Sequence, residues 1–309
     1  MKYIAPAYYR SFKCIASACK HSCCIGWEVD VDGEALALYD GMTHPYAARI
    51  RDSIDYADTP HLALTEDERC PHLAPSGLCN IITECGEQAL CQICRDHPRY
   101  RNFYDGVTEL GLGLSCEEAT RLALSSEARG FIVSDSEDMT VFEYSEDYPA
   151  DLFSGDEAYL AEEKKRLISL ATDSSKSIDE RLKLLLPKTP AVDEIKSLLL
   201  SLEMLDESWQ DRVISLPADD FVPNLENFDK YLERTVATVI YRHASSESFC
   251  SPITVAAFAA LSALTVAALA GTPDAFADVL RAWSAEVEYS TENTEKILDF
   301  VEENCQYEI

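Results

Sequence analysis

The sequence predicts a mainly α fold: a Cys-rich, metal-binding N-terminal region with short helices and a small β-hairpin, followed by an α-helical bundle. Three observations predict it. Ten of the 12 cysteines in 309 residues fall between Cys14 and Cys116, and only Cys250 and Cys305 lie beyond. From residue 156 onward, apolar residues recur at three- and four-residue spacing, the period of an amphipathic helix. Hydrophobic residues make up 47% of the chain, enough to build a substantial core. The implied division is a cysteine-rich metal-cluster domain at 1–125, a small β or linker segment at 126–150, and an acidic α-helical domain at 151–309.

The elements follow in order. Residues 33–42 and 45–56 read as two short helices, with Pro45 suited to the first turn of the second. The stretch 59–70 is polar and loop-like. Between 70 and 118, Pro71, Pro75, Gly77, Gly86 and Pro98 punctuate short segments, as expected where ligands rather than a large core fix the backbone. Residues 102–115 carry Asp105-Gly106 between Tyr/Phe and Leu runs, a hairpin signal that delivers Cys116 at its end. A second small β candidate spans 131–144 and turns near 135–138. Helical periodicity then marks 156–172, 178–186, 191–207, 225–244, 253–270, 273–288 and 290–305. Pro187, Pro190, Pro217, Pro223, Pro252, Gly271 and Pro273 separate most of them, as helix breakers should. The stretch 253–269 is apolar enough to imitate a membrane span. Its marginal length, its Thr254, Ser262 and Thr265, and its lack of flanking basic residues make it a buried helix of the bundle.

Charge narrows the function. Against 55 Asp and Glu stand 26 Lys and Arg, a net charge of −29. Nucleic acid and anionic membrane are therefore excluded as main partners, because phosphate binding needs clustered basic residues. Residues 1–120 hold 10 basic and 18 acidic residues, and residues 121–309 hold 16 and 37. Most of the acidity thus belongs to the outer faces of the back-half helices. The first ten residues have no apolar run of the kind that marks a secretory signal, and a cytoplasmic location is expected. Thiols stay reduced there, so metal ligation is expected in place of a disulfide framework.

The cysteines form two groups. The first is Cys14-Ile-Ala-Ser-Ala-Cys19-Lys-His-Ser-Cys23-Cys24-Ile-Gly-Trp27. The second is Cys70-Pro-His-Leu-Ala-Pro-Ser-Gly-Leu-Cys79, Cys85, Cys91-Gln-Ile-Cys94, and Cys116. Thiolate is a soft ligand, and short spacers let one loop supply two or three sulfurs while a distant cysteine closes the shell; ligand chemistry alone leaves zinc and an iron–sulfur cluster equally open. Adjacent side chains diverge, so Cys23 and Cys24 are expected either to serve two sites or to leave one member in the core. Cys85, Cys91, Cys250 and Cys305 read as small buried residues. His21, His72 and His97 each lie within three residues of a cysteine and read as supporting groups more than ligands.

Pro6-Ala-Tyr8-Tyr9-Arg-Ser-Phe12-Lys-Cys14-Ile15, Cys19 and Ser22-Cys23-Cys24-Ile-Gly26-Trp27 resemble the opening of the flagellin lysine N-methylases. The resemblance continues through Cys70-Pro71-His-Leu73, Gly77-Leu78-Cys79-Asn-Ile81, Leu90, Cys94, Pro98-Arg99 and Leu114-Ser115-Cys116-Glu117-Glu118-Ala119. It returns at Glu286-Val-Glu288-Tyr-Ser290 and Asn293. It departs at Cys91, where the family usually has another residue, and at Tyr289, where His is common. The resemblance implies an enzyme that methylates flagellin lysines from S-adenosylmethionine with an iron–sulfur cluster, 4Fe-4S in type. It also implies Cys14, Cys19, Cys23, Cys24, Cys70, Cys79, Cys94 and Cys116 as the ligand candidates. A nucleotide-binding βα fold would need a glycine-rich turn leading into a helix, and the lone Gly111-Leu-Gly113 does not supply one. Cofactor binding is therefore expected at an open iron, with Arg95, Arg99 and Arg101 meeting the cofactor carboxylate. The non-enzymatic alternative is a chelating module with closed zinc sites. No catalytic base stands out among 55 acids and 15 tyrosines.

Overall fold

The computed structural model describes residues 1–125, 129–217, 224–248 and 250–305. The predicted breaker Pro223 and residues 126–128 of the predicted linker lie outside them. The strands are β1 (Lys2–Pro6), β2 (Val29–Asp30), β3 (Ile54–Asp55), β4 (His61–Leu62), β5 (Arg99–Tyr104), β6 (Val107–Leu112), β7 (Phe131–Ser134) and β8 (Glu143–Ser145). The helices are α1 (Gly33–Gly41), α2 (Ala47–Asp52), α3 (Asn80–Cys85), α4 (Gln92–Asp96), α5 (Glu117–Ser125), α6 (Asp156–Ala171), α7 (Ile178–Leu185), α8 (Val192–Leu200), α9 (Glu207–Ile214), α10 (Asp229–His243), α11 (Pro252–Ala270), α12 (Pro273–Trp283) and α13 (Thr291–Asn304). The chain is mainly helical, as the sequence predicts.

Its contacts divide it elsewhere than at residue 125. One unit comprises Met1–Phe12, Tyr100–Ser115 and Ala119–Ile309; the other comprises Lys13–Arg99 and Cys116–Glu118. The reason is the sheet. β1 runs parallel to β6 (Ile4 opposite Glu109) and antiparallel to β7 (Pro6 opposite Phe131), giving the strand order β5-β6-β1-β7-β8. The N-terminal strand and the Asp105-Gly106 hairpin therefore belong with the helical unit, and the cysteine-rich segment is an insertion in the chain between them.

In the larger unit, local signals set the helices and burial holds them. Ser251 caps α11 by accepting from Thr254 N, Pro252 fills its first turn, and Gly271 ends it at φ +64°. Ser177 and Glu180 form a reciprocal capping box on α7, satisfying two free amide donors. α11 is long and apolar enough to cross a membrane, yet 78% of its most apolar window is buried among the unit's other helices. From α10, the Tyr241 hydroxyl donates to Ile4 O (3.0 Å) and Leu110 O (3.1 Å), fastening that helix to β1 and β6. The predicted helix at 191–207 stops at Leu200, and Asp206 starts α9 by accepting from Ser208 N. Pro45 lies just before α2, whose cap is Tyr46.

Gly130 opens β7 at φ +92°, and its carbonyl accepts from Ala7 N at 3.0 Å. A Cβ there would lie 2.4 Å from Ser145 O, and main chain cannot step aside as a side chain can. Gly130→Ala is expected to cost about 1–3 kcal/mol through strain and overpacking, measured by urea unfolding. A cost within error of zero would show that the β7–β8 pair yields.

The smaller unit is built differently. Its helices run 9, 6, 6 and 5 residues, and its sheet, in the order β2-β4-β3, uses two-residue strands. Asp32 connects two helix starts. One oxygen accepts from Ala35 N (2.9 Å) in α1 and the other from Gln92 N (2.7 Å) in α4. Burial opposes the charged form, but these amides outweigh it and hold the Asp32 carboxyl below its ordinary range.

Candidate metal centre

Backbone pairing in the smaller unit gathers cysteines that are far apart in sequence. Cys70 N donates to Cys24 O (2.8 Å) and Gly26 N to Glu68 O (2.8 Å), so the segment after Cys24 lies antiparallel to the one before Cys70. Residues 70–79 then form a tight turn. Leu73 N donates to Cys70 O, Gly77 N to Ala74 O and Asn80 N to His72 O, while Leu73 bridges Cys79. Gly77 takes φ +79°, a backbone conformation that glycine adopts without strain. Both ends of the turn carry thiols. Cys79 precedes α3 and Cys91 precedes α4, with Cys94 one turn further on.

Cys70 and Cys91 are buried in a core with Val29, Tyr39, Ile50, Leu62 and Ile81, and Cys24, Cys79 and Cys94 pack against it. Burial pushes the Cys70 thiol up to about 11, with Cys24, Cys79 and Cys91 adding to the rise. Cys79 is also raised by burial, reinforced by Cys24 and Cys91. A hydrogen bond between Cys91 and Cys94 lowers the former and raises the latter. These five thiols share one apolar, desolvated core.

Four others are more accessible. Cys14 and Cys23 are exposed, and Cys19 and Cys116 half-buried. A short turn at Ala16–Ala18 joins Cys14 to Cys19. Glu117 closes the loop by accepting from Lys20 N (2.8 Å), and its carboxylate also lies 3.7 Å from Cys19 Sγ. Cys23 feels Cys14 and Cys116 electrostatically, and Cys19 feels Glu117 and Cys116. The vicinal pair does not diverge as expected: the Cys23 and Cys24 thiols hydrogen-bond each other, lowering Cys24 and raising Cys23.

Among the described residues, no three His, Cys, Asp or Glu side chains are drawn together in the geometry of a metal site. The implied eight-cysteine ligand set therefore stands as neighbouring thiols, not as a formed coordination shell. The donor set itself fits a soft metal in type and number. Cys91, read from sequence as a small buried residue, is buried in this core at 2% exposure.

The other candidates are placed as follows. His72 is fully buried, with Nδ1 at 3.0 Å from the Tyr46 hydroxyl and Nε2 at 2.8 Å from Ser53 Oγ. Burial, aided by Arg49, lowers it to about 4, so it is neutral and committed to those hydroxyls. Burial also lowers His97 to about 4, and its ring lies 6.0 Å from Trp27. Trp27 is half-buried and donates to Cys23 O at 2.6 Å. Arg95 is exposed on α4 and Arg99 half-buried in the same unit, whereas Arg101 belongs to the larger unit and pairs with Glu137 at 2.7 Å. Cys85 lies 3.4 Å from His44 Nδ1. Cys250 and Cys305 lie in the larger unit, Cys305 buried.

The C-terminal motif divides into two tasks within the larger unit. Glu286 accepts from Leu205 N (2.9 Å), while the Asn293 side chain donates to Glu203 O (2.8 Å) and accepts from Glu203 N (2.8 Å); together they clamp the turn after α8. Glu288 ends a π-helical turn, Ser284–Glu288, and accepts from His243 Nε2 at 2.8 Å. Arg242 lies 3.6 Å from the same oxygen, and its guanidinium sits over the rings of Tyr100 and Tyr289. Burial disfavours the Glu288 carboxylate, but Arg242 and the His243 bond outweigh it and hold its pKa at about 2, against an ordinary 4.5. Burial lowers His243 despite Glu288. Both groups work in one direction. A depressed carboxylate stabilises the fold above its unfolded pKa, and that contribution is lost as pH falls; a depressed histidine likewise opposes folding only as it protonates. The Glu288 contribution is worth about 3 kcal/mol at 1.36 kcal/mol per pH unit. It should vanish between about pH 5 and pH 2. Stability measured against pH should fall over that window, and Glu288→Gln should flatten the slope. An unchanged slope would assign the acid sensitivity elsewhere.

Sequence and structure together define a class: a thiol-rich insertion, poor in long secondary structure, carried by a helical unit with a mixed sheet. No family model and no solved structure matches the chain. Curated relatives do. Over 134 residues, 39% of this chain, it is 26% identical to the Lysine-N-methylase of Salmonella typhimurium and equally to that of Salmonella choleraesuis, covering 32% of each. It is 28% identical over 127 residues to the Flagellar biosynthetic protein FliU of Salmonella muenchen, covering 75% of that chain. The matched stretch thus spans about a third of the length of the two methylases. The likeness to lysine N-methylases read from the motifs holds against these curated sequences.

Proposed function

We propose that this chain is a cytoplasmic protein-lysine methyltransferase that uses S-adenosylmethionine, acts on flagellin or a similar lysine-bearing protein, and holds an iron–sulfur cluster on the thiols of its smaller unit. The observation that carries the reading is the coincidence of likeness to lysine-N-methylases with ten thiols in one small unit. The reaction is a nucleophilic displacement. A neutral lysine amine attacks the sulfonium methyl, the C–N bond forms as the S–CH3 bond breaks, sulfur leaves as a neutral thioether, and the alkylated amine gives up a proton. A bound cluster with one open iron would supply a chelating point for the cofactor's amino and carboxylate groups. Arg95 and Arg99, two of the unit's basic residues, would meet the carboxylate. The net charge of −29 favours encounter with a basic substrate, and such steering weakens with salt.

The test is anaerobic purification and reconstitution, followed by mass measurement of a flagellin incubated with the protein, S-adenosylmethionine and a reductant. The expected result is brown protein containing iron and acid-labile sulfide, with flagellin gaining mass in methyl increments. Colourless, zinc-only protein that leaves flagellin unchanged would overturn it and favour the second reading, a closed zinc-chelating module. The observation behind that alternative is the compact arrangement of the 70–79 turn and the Cys91–Cys94 pair.

A further inference from the structure

Resting on the reading that the substrate is a lysine-bearing protein, we infer that the free edge of β8, in the larger unit, is where an extended, lysine-rich segment of that protein docks as a further strand. β8 ends the strand order β5-β6-β1-β7-β8, so no strand lies beyond it. The opposite edge is occupied: Ser246 Oγ donates to Phe103 O of β5 at 3.1 Å. β8 is held in place from its inner side. Tyr144 lies opposite Ile132 and Glu143 opposite Val133, Ser134 Oγ donates to Val141 O at 2.7 Å, and the Tyr144 hydroxyl donates to Arg129 O. Edges of this kind are ordinarily blunted by lysine, proline or a covering element. Here Val141 is 81% exposed, Phe142 39% and Tyr144 57%, an apolar strip left uncovered beside an unpaired main chain.

Charge selects the occupant. Residues 130–163 contain 11 Asp and Glu and no Lys, Arg or His. Two of these acids are already matched, Asp135 by Lys2 at 2.8 Å and Glu137 by Arg101 at 2.7 Å. Glu143, Glu146 and Asp147 are exposed and stand in no ion pair among the described residues, although Lys2 feels Glu143. A second copy of this chain, itself at −29, is repelled from such an edge, whereas a basic segment is drawn to it. The aromatic strip suits the same partner. The Arg10 guanidinium already lies 4.6 Å from the centre of the Phe142 ring, so that face accepts a cation. Lysine stems can lie along Val141, Phe142 and Tyr144 while their ammonium groups reach the carboxylates. In strand addition the main chain supplies affinity and side chains supply selection. The edge therefore asks for an extended backbone and for lysines, not for one fixed sequence.

The experiment titrates the full-length chain with a labelled peptide of about ten residues that alternates Lys and Val. Two control peptides accompany it, one with every Lys replaced by Glu and one with alternate Val replaced by Pro, which keeps the charge but cannot pair. Anisotropy gives the affinity, and amide exchange of the wild-type chain gives the place. The lysine peptide is expected to bind, to weaken in high salt, and to slow exchange at Glu143–Ser145. The glutamate peptide should not bind, and the proline peptide should bind about tenfold more weakly. Glu143→Lys/Glu146→Lys/Asp147→Lys, checked for folding by circular dichroism, should also cost about tenfold, the sum of three exposed pairs. Equal binding of the proline or the glutamate peptide, protection away from 141–147, or unchanged affinity in the folded triple variant would each overturn the docking edge. A wild-type dimer that the triple variant loses, with no peptide bound, would give the edge to a second copy. The two readings fail separately. If flagellin is methylated with the same KM by the wild-type chain and the triple variant, the docking edge falls and the enzyme stands. If flagellin is never methylated while the lysine peptide still protects Glu143–Ser145, the enzyme falls and the edge stands as a site for basic strands.

Discussion

Lys164→Met is expected to destabilise the larger unit by about 3–5 kcal/mol, the range for removing one partner of a buried ion pair. Lys164 and Glu109 are both fully buried, and the ammonium lies 2.7 and 2.8 Å from the two carboxylate oxygens. The carboxylate also accepts from the hydroxyls of Tyr104 (3.1 Å) and Tyr148 (2.5 Å) and from Asn102 Nδ2 (3.0 Å). Tyr104, Tyr148 and Tyr241 place their rings 5.3–5.7 Å from the ammonium. Burial drags the Lys164 pKa down, and the Glu109 carboxylate opposes that. Methionine keeps the apolar stem and removes only the charge, leaving a carboxylate stranded in a dry site. Glu109→Gln added to Lys164→Met should recover much of the loss, because a neutral amide can use the same hydroxyls. The check is a double-mutant cycle by urea unfolding. A coupling energy near zero would make Lys164 a packing residue and not a charge partner.

That pair also shows where sequence reading reaches its limit. Lys164 stands in Glu162-Glu163-Lys164-Lys165, a run that reads as the solvated face of α6. Glu109 occupies β6, whose six residues are all buried, so strand alternation does not identify an outward side. Each charge makes sense only beside the other, 55 positions away in the chain. Helix identities, by contrast, were legible wherever apolar period and breakers agreed, as for α6, α7, α10 and α11. The Asp105-Gly106 hairpin was legible from its turn chemistry, with Gly106 at φ +77°. The strand partner of β1 was not, because parallel pairing with β6 spans the whole cysteine-rich insertion, and no local signal encodes it. The cysteine density announced the candidate site. Its grouping did not show, since it depends on the pairing of Cys24 with Cys70 and on the helix start that buries Cys91.

Metal removal is expected to have the largest effect of all, and to have it in the smaller unit. No helix there exceeds nine residues, well short of the roughly 12–15 at which an isolated helix holds in water, and two-residue strands contribute few ladder bonds. Thiols occupy positions in its core where aliphatic side chains would otherwise pack. A unit with this little regular structure gains from staples, and on the proposed reading thiolates on a metal would supply them. Binding at a structural thiolate site is worth about 10–16 kcal/mol, comparable to the whole stability of an ordinary domain. Stripping the metal with a strong chelator should therefore release the unit's tertiary structure. Three signals should change together: the fluorescence of Trp27, amide exchange across residues 13–99, and alkylation of Cys70 and Cys91. Acid should act like the chelator, because a thiol raised to about 11 by burial, as Cys70 is, must lose its proton to ligate, and falling pH returns it. If the Trp27 signal and the protection of Cys70 and Cys91 both survive complete metal removal, the apolar core alone holds the unit. The thiols would then be free for chemistry and not committed to its architecture.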